Sequence, residues 1–299
     1  MLTLNALTHC TLCPRMCGVN RLARQAGFCG AIGRDLRIAR IAPHFWEEPC
    51  LSGKHGSGTV FFGGCNLRCV YCQNREISRA CVGKYYSPEA LAEEMLALAA
   101  TGVHNINLVT PTHYAAQIAV AIDLAKRQGL SLPVVYNCGG YERVDTLRAL
   151  EGLVDVWLPD YKYESDSLAQ MYSNARQYPA FAMAAVTEMV RQAGTPVFDA
   201  HGMLTRGVLV RHLVLPGATR DAIALLTRLY RAFGDQVYFS IMRQYTPMPD
   251  TPFPELCDPL TETAYCRVVE AAAALGITNA FVQEGEAIGA SFIPHFDTE

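Results

Sequence analysis

The chain has 299 residues, 51% of them hydrophobic and 18% charged, with 12 cysteines and a formal net charge of −3. That length fits one large domain or two small ones, and the low charge with a high apolar share excludes disordered, collagen-like and low-complexity classes. A charge this small carries no basic footprint for nucleic acid or for an anionic membrane surface. The opening MLTLNALTHC lacks the basic and apolar regions of a secretory leader, and no apolar run reaches the roughly 18 residues of a membrane span. The expectation is a cytoplasmic protein in a reducing compartment, where clustered cysteines are metal ligands rather than disulfides.

Taken in chain order, residues 1–50 read as an irregular, Cys-rich module too small to build its own core. It holds Cys10, Cys13, Cys17 and Cys29. From residue 58 an alternation of strands and helices begins. TVFFGG is an apolar run closed by glycines, the mark of a buried strand entering a loop. SPEALAEEMLALAATG has Ser87 as N-cap, Pro88 at the first helical position and Gly102 as stop. NINLV, LPVVYN, LVDVWLPD, RGVLVRHLVLPG and QVYFSIM are five further strands. Helices are expected over YAAQIAVAIDLAKRQG, from Glu142 to Leu150, over AFAMAAVTEMVRQAG and over RDAIALLTRLYRAFG. A last helix, ETAYCRVVEAAAALG, precedes the short apolar TNAFV.

Six strands each followed by a helix or loop predict an α/β chain with a parallel sheet or partial barrel over 51–245 and a C-terminal extension over 246–299. Strands end in Cys65, Thr110, Asn137, Asp160 and the run Met242 to Tyr245, and barrel chemistry gathers at that end of the strands. No GxGxxG follows the first strand and no P-loop occurs, which argues against dinucleotide and nucleotide-triphosphate sites.

The segment GGCNLRCVYCQN places Cys65, Cys69 and Cys72 at C-x3-C-x2-C directly after the first strand. Three thiolates in one short loop converge on one metal centre. Structural zinc takes four protein ligands and no fourth lies nearby, whereas an iron–sulfur cubane with three cysteines keeps one iron open. A zinc loop with a distant ligand is the alternative. With Tyr71 as its aromatic, this C-x3-C-x-aromatic-C resembles the signature of the radical S-adenosylmethionine superfamily. FFGGCNLRCVYCQN, WLPDYK and RHLVLPG further resemble the pyruvate formate-lyase activating enzyme group. CTLCPRMCGVNR, EEPCLSG and NLVTPTH extend the likeness, over nearly the whole chain, to its PflX-like branch.

The resemblance implies a partial (β/α)6 TIM-like barrel of the radical S-adenosylmethionine type, with a [4Fe–4S] cluster and S-adenosylmethionine as cofactors. It implies that the open iron chelates the amino and carboxylate groups of S-adenosylmethionine. Reductive cleavage of the sulfonium then gives a 5′-deoxyadenosyl radical that abstracts hydrogen from a substrate. The implied partners are a glycyl radical enzyme or another protein substrate, and a reductant such as flavodoxin or ferredoxin. A small metabolite as substrate is the alternative, and a non-enzymatic iron–sulfur or zinc protein a third.

For the site residues, Asp160 and Lys162 match the D-x-K of the group's fourth strand, which helps hold the methionine part of the cofactor or a nearby cation. A solvated strand terminus is their other reading. Arg211 suits a carboxylate, either a ligand's or that of an acid such as Asp160. Asn137 and Cys138 fall near an Asp-Thr pair of the group, and Gln244 and Tyr245 near its cofactor contacts. The Gly-Gly-Glu run that receives the cofactor's amino group in activating enzymes is Thr110-Pro111-Thr112-His113 here. Thr110, Thr112 or backbone carbonyls would substitute, and His113 reads as an acid–base group, a substrate contact or a packing histidine.

The set Cys10-x2-Cys13-x3-Cys17-x11-Cys29 departs from the ferredoxin spacing and reads as a second iron–sulfur cluster or a zinc site. Isolated cysteines, among them Cys50 and Cys81, read as small buried apolar residues. The proline-rich MRQYTPMPDTPFPEL either covers the barrel mouth or links to the last helix.

Overall fold

In a computed structural model, which describes residues 2–248, 250–283 and 296, the sheet starts earlier than the sequence predicts. Leu36–His44, inside the stretch expected to be irregular, is strand β1. After the single-turn helix α1 (Pro49–Ser52), β1 pairs antiparallel with β2 (Ser57–Phe62) in the register Ala42↔Thr59. The radical-type loop and α2 (Arg75–Ala80) follow, and β3 (Lys84–Tyr86) covers the far edge of β1. The segment LRIARIAPH sits in a Cys- and Gly-rich context with no following amphipathic helix, so its sheet partner is supplied only by the tertiary fold.

The predicted alternation then runs through α3 (Pro88–Ala100), β4 (Ile106–Val109), α4 (Ala115–Arg127), β5 (Val134–Cys138), α5 (Val144–Ala149) and β6 (Val156–Pro159). It continues with α6 (Asp166–Ser173), α7 (Tyr178–Ala193), β7 (Val197–Phe198), β8 (Leu204–Leu213), α8 (Thr219–Phe233), β9 (Tyr238–Met242), α9 (Glu262–Ala274) and β10 (Ala280–Val282). The sheet order is β10-β9-β8-β6-β5-β4-β2-β1-β3, with β7 antiparallel on β8. Strands β2, β4, β5, β6, β8 and β9 are parallel neighbours and coincide with the six predicted from sequence. Every residue of β2, β4, β5 and β6 is buried, as expected of parallel strands covered on both faces. The result is the α/β partial barrel.

The helices form for the reasons their sequences give. Ser87 caps α3 by accepting the Ala90 amide at 3.1 Å, with Pro88 opening the first turn. Leu91, Met95 and Leu98 of α3 and Ile118 and Ile122 of α4 turn inward to the core. Of the expected C-terminal extension, Pro249 and residues 284–295 and 297–299 lie outside the described residues. Among the described residues no helix is long and apolar enough to cross a membrane.

Two backbone details fix the rim. Gly140 (φ +75°) lets the loop after β5 pass so close to β6 that a Cβ would stand 2.2 Å from the Asp160 carbonyl oxygen. The buried Tyr178 hydroxyl, at the start of α7, bridges the Gly139 and Asp160 carbonyls at 2.9 Å each and accepts the Lys162 amide at 2.9 Å. Together they lock the ends of β5 and β6.

Candidate functional site

A cavity of about 230 Å³ opens at the C-terminal ends of the parallel strands. Cys65, Cys69, Tyr71 and Cys72 line it from the loop after β2. Thr110 lines it after β4, Asn137 on β5, Asp160 and Lys162 after β6, Arg211 on β8 and Gln244 after β9. These ten residues, with Cys138 and Met242, were all singled out in the sequence and share one cavity. Phe61, Leu67, Val109 and Leu213 supply apolar wall between them.

The three thiols are held differently. Cys69 is buried, and Ser173 donates its hydroxyl to the Cys69 Sγ at 2.9 Å. Cys65 Sγ accepts the Leu67 amide at 3.3 Å, and Cys72 Sγ lies 3.5 Å from Ser78 Oγ. Tyr71 contacts Tyr163 hydroxyl to hydroxyl at 2.6 Å, and Tyr163 reaches Ser173 at 2.6 Å, so a buried hydroxyl chain runs from Tyr71 to the Cys69 sulfur. Burial pushes the Cys69 thiol up, and the nearby Lys162 ammonium opposes it. The same ammonium acts on Cys65.

A charged network lies opposite. Lys162 Nζ donates to Asp160 Oδ2 at 2.7 Å, and Arg211 Nε donates to Asp160 Oδ1 at 2.9 Å. Arg211 also donates to Glu47 Oε2 at 3.0 Å and to Asn137 Oδ1 at 2.6 Å. Burial alone would raise the Asp160 carboxyl, but Lys162 and Arg211 hold it below the usual carboxylate range. Burial alone would lower Lys162, but Asp160 and Cys69 hold it well above its ordinary value. Asp160 and Lys162 are thus a largely buried ion pair, 19% and 17% exposed, rather than a solvated strand terminus. Arg211 makes the ion pair with Asp160 that its chemistry allowed, and spends its three nitrogens within the protein.

Glu47 was missed in the sequence. It lies in EEPCLSG between β1 and α1, and besides Arg211 it accepts the Asn107 and Asn137 amides at 3.1 and 3.3 Å. No local signal marks it, because its partners come from strands β4, β5 and β8.

Two expected cofactor contacts lie elsewhere. Thr110 has φ +62°, and its amide donates to the Asn137 carbonyl at 2.8 Å. From that left-handed residue Pro111 starts a 3-10 turn over Thr112–Tyr114 that leads away from the cavity. Thr112 is buried and donates to the Glu142 carboxyl. His113 is buried against the Gly63 carbonyl and faces a second cavity, described below. Tyr245 is buried beside the site, its hydroxyl donating to the Leu256 carbonyl at 2.6 Å. Of the isolated cysteines, Cys50, Cys81 and Cys138 are buried, as read from the sequence, whereas Cys257 is only half-buried and Cys266, on the outer face of α9, is exposed.

The donor set fits an iron–sulfur cubane. Three sulfurs front one cavity wall with a cation beside two of them. In a cubane each thiolate takes its own iron, so the sulfurs stand around the cluster rather than on one point.

Comparison with known proteins agrees. The family model of the radical SAM superfamily matches residues 59–229. The uncharacterized protein MJ0674 of Methanocaldococcus jannaschii is 26% identical over 252 residues, covering 81% of this chain and 68% of that protein. A radical SAM methyltransferase from Sphaerobacter thermophilus is similar in structure, with a TM-score of 0.55 and 18% identity over 78% of this chain and 67% of its own. SuiB of Streptococcus suis, bound to its precursor peptide SuiA, has a TM-score of 0.51 and 12% identity, covering 75% of this chain and 47% of SuiB. These structural likenesses are of fold, and the chain spans about half the length of SuiB. With more than half of its length matched by that family model, the chain belongs to the radical SAM superfamily, enzymes whose chemistry rests on a [4Fe–4S] cluster and S-adenosylmethionine.

Proposed function

We propose that Cys65, Cys69 and Cys72 hold the [4Fe–4S] cluster with one iron free of protein ligands, and that S-adenosylmethionine occupies the cavity beside it. Bound there, the cluster and S-adenosylmethionine supply reductive cleavage of a sulfonium and a carbon-centred radical that takes a hydrogen atom from a substrate. The observation that carries this reading is the meeting of the three thiols and the Lys162–Asp160–Arg211 network on one cavity. Lys162 spends one donor on Asp160 and is the cation free to face a carboxylate of the cofactor. Arg211 and Glu47 act as positioning residues, fixing Asp160 and Asn137 from behind. The apolar wall limits water at a site where a radical must meet only its substrate.

The substrate reading is activation of a glycyl radical enzyme, through abstraction of a backbone Cα hydrogen. Its support is the likeness of FFGGCNLRCVYCQN, WLPDYK and RHLVLPG to the activating enzyme group. The sheet is compatible with it, since among the described residues β10 and β3 end the strand order without pairing with each other. Anaerobic reconstitution with S-adenosylmethionine and dithionite is expected to yield 5′-deoxyadenosine, and none after Cys69→Ala. An EPR glycyl-radical doublet on a candidate partner supports activation, while 5′-deoxyadenosine without that doublet removes it.

A further inference from the structure

A second, smaller cavity lies in the N-terminal segment, walled by Cys10, Cys13, Cys17 and Cys29 together with Arg21 and His113. All four cysteines are free thiols. The chain folds tightly to bring them together. The Cys10 amide donates to the Val19 carbonyl at 3.0 Å, Gly18 returns to the Cys10 carbonyl at 2.9 Å, and the Phe28 amide donates to Cys17 Sγ at 3.4 Å.

His113 reaches this cavity from the loop after β4, about a hundred positions away in sequence. It is 2% exposed, and its Nε2 lies 2.9 Å from the Gly63 carbonyl oxygen. A carbonyl oxygen only accepts, so Nε2 carries the proton. Nδ1 is left as a buried lone pair with no hydrogen-bond partner. An imidazole with one nitrogen anchored on a backbone carbonyl and a bare lone pair on the other is oriented as metal-ligating histidines are.

The charges point the same way. Arg21 is 1% exposed, and its Nε and Nη2 are buried without partners. Arg15 Nη2 is also buried without a partner, and this guanidinium lies in the field of Cys13, Cys17 and Cys65. Buried cations with unused donors call for a buried anion. Four thiolates on a metal centre provide one, whereas four neutral thiols do not.

We propose that a second metal centre draws its four ligands from Cys10, Cys13, Cys17, Cys29 and His113, with Arg21 and Arg15 balancing its negative charge. Iron–sulfur and zinc centres share this thiolate chemistry, and metal content separates them. On loading, the ligating thiols release their protons to solvent and no oxidation of the protein is involved. The site lies directly behind the first one, since a Cβ on Gly64 would stand 2.5 Å from the Cys29 carbonyl oxygen.

The test is metal content of the full chain purified without oxygen. The wild type is expected to carry about four irons at the first site and, at the second, either about four more irons with sulfide or about one zinc. A Cys65→Ala, Cys69→Ala, Cys72→Ala variant should keep that second metal, and a Cys10→Ser, Cys13→Ser variant should lose it and keep the first four irons. The wild-type content is a check independent of variant folding: about four irons and no further metal would overturn the second centre while leaving the first site standing. His113→Gln should lower the occupancy of the second metal or alter its spectrum, and an unchanged occupancy and spectrum removes His113 from the set.

Discussion

Arg211 and Glu47 stand 164 positions apart in the chain and 3.0 Å apart in the fold, with both side chains largely buried. The pair ties the turn after β1 to strand β8, and Arg211 passes the constraint to Asp160. Removing one member of a buried pair leaves the other charge uncompensated, at a cost of about 3–5 kcal/mol. Glu47→Ala is expected to fall below that range, at about 2–3 kcal/mol, because Arg211 keeps Asp160 as a partner. Urea unfolding measures it. Glu47→Gln should recover part of the loss, and an unchanged midpoint in both variants would show the pair to be idle.

Lys162 is the cation nearest Cys69 and Asp160. Lys162→Met is expected to keep the iron content while raising the KM for S-adenosylmethionine about tenfold, the equivalent of about 1.4 kcal/mol. Lys162→Arg should recover part of it. Iron loss in place of a KM change would assign Lys162 to the cluster instead of the cofactor.

Ser173 donates to the Cys69 sulfur and terminates the tyrosine hydroxyl chain. Hydrogen bonds to a ligating sulfur stabilise the reduced, more negative cluster. Ser173→Ala should therefore move its reduction potential to more negative values without loss of iron, as read by an EPR-monitored titration. A positive shift contradicts the arrangement.

Glu142 is fully buried beside Thr112, and burial pushes its carboxyl pKa up from 4.5 to about 8. Between those values the folded state holds a proton that the unfolded state has released, so stability is full below about pH 4.5 and falls as pH rises to about 8. At about 1.4 kcal/mol per unit the total is of the order of a few kcal/mol. Glu142→Gln should flatten this slope in urea unfolding between pH 5 and pH 8.5, and an unchanged slope would place the pH dependence on another group.

Thr110 is a β-branched residue at φ +62°, a conformation that costs about 1–3 kcal/mol outside glycine. Thr110→Gly relieves that strain against a smaller gain in unfolded-chain entropy, for a net stabilisation of about 1 kcal/mol. A lower unfolding midpoint would refute the strain.

The parallel strands and the radical loop were legible in the sequence for local reasons. β2, β4, β5 and β6 are buried on both faces, so they read as largely apolar runs closed by polar or turn residues. Cys65, Cys69 and Cys72 must share one centre from a single loop, so their spacing is itself the signal. α6 escaped because DSLAQMYS is short and largely polar, and β1 because its partner strand is specified by the sheet rather than by its own pattern.

What the sequence by itself determined is which residues can ligate and at which strand ends they fall. Tertiary structure alone decided which of them meet. A left-handed turn at Thr110 carries His113 away from the first cavity and into the N-terminal cysteines, and Glu47 reaches Arg211 across most of the barrel. Side-chain chemistry is written in one residue, but a charge pair or a ligand set is a distance, and distances between remote residues are set only when the sheet closes around them.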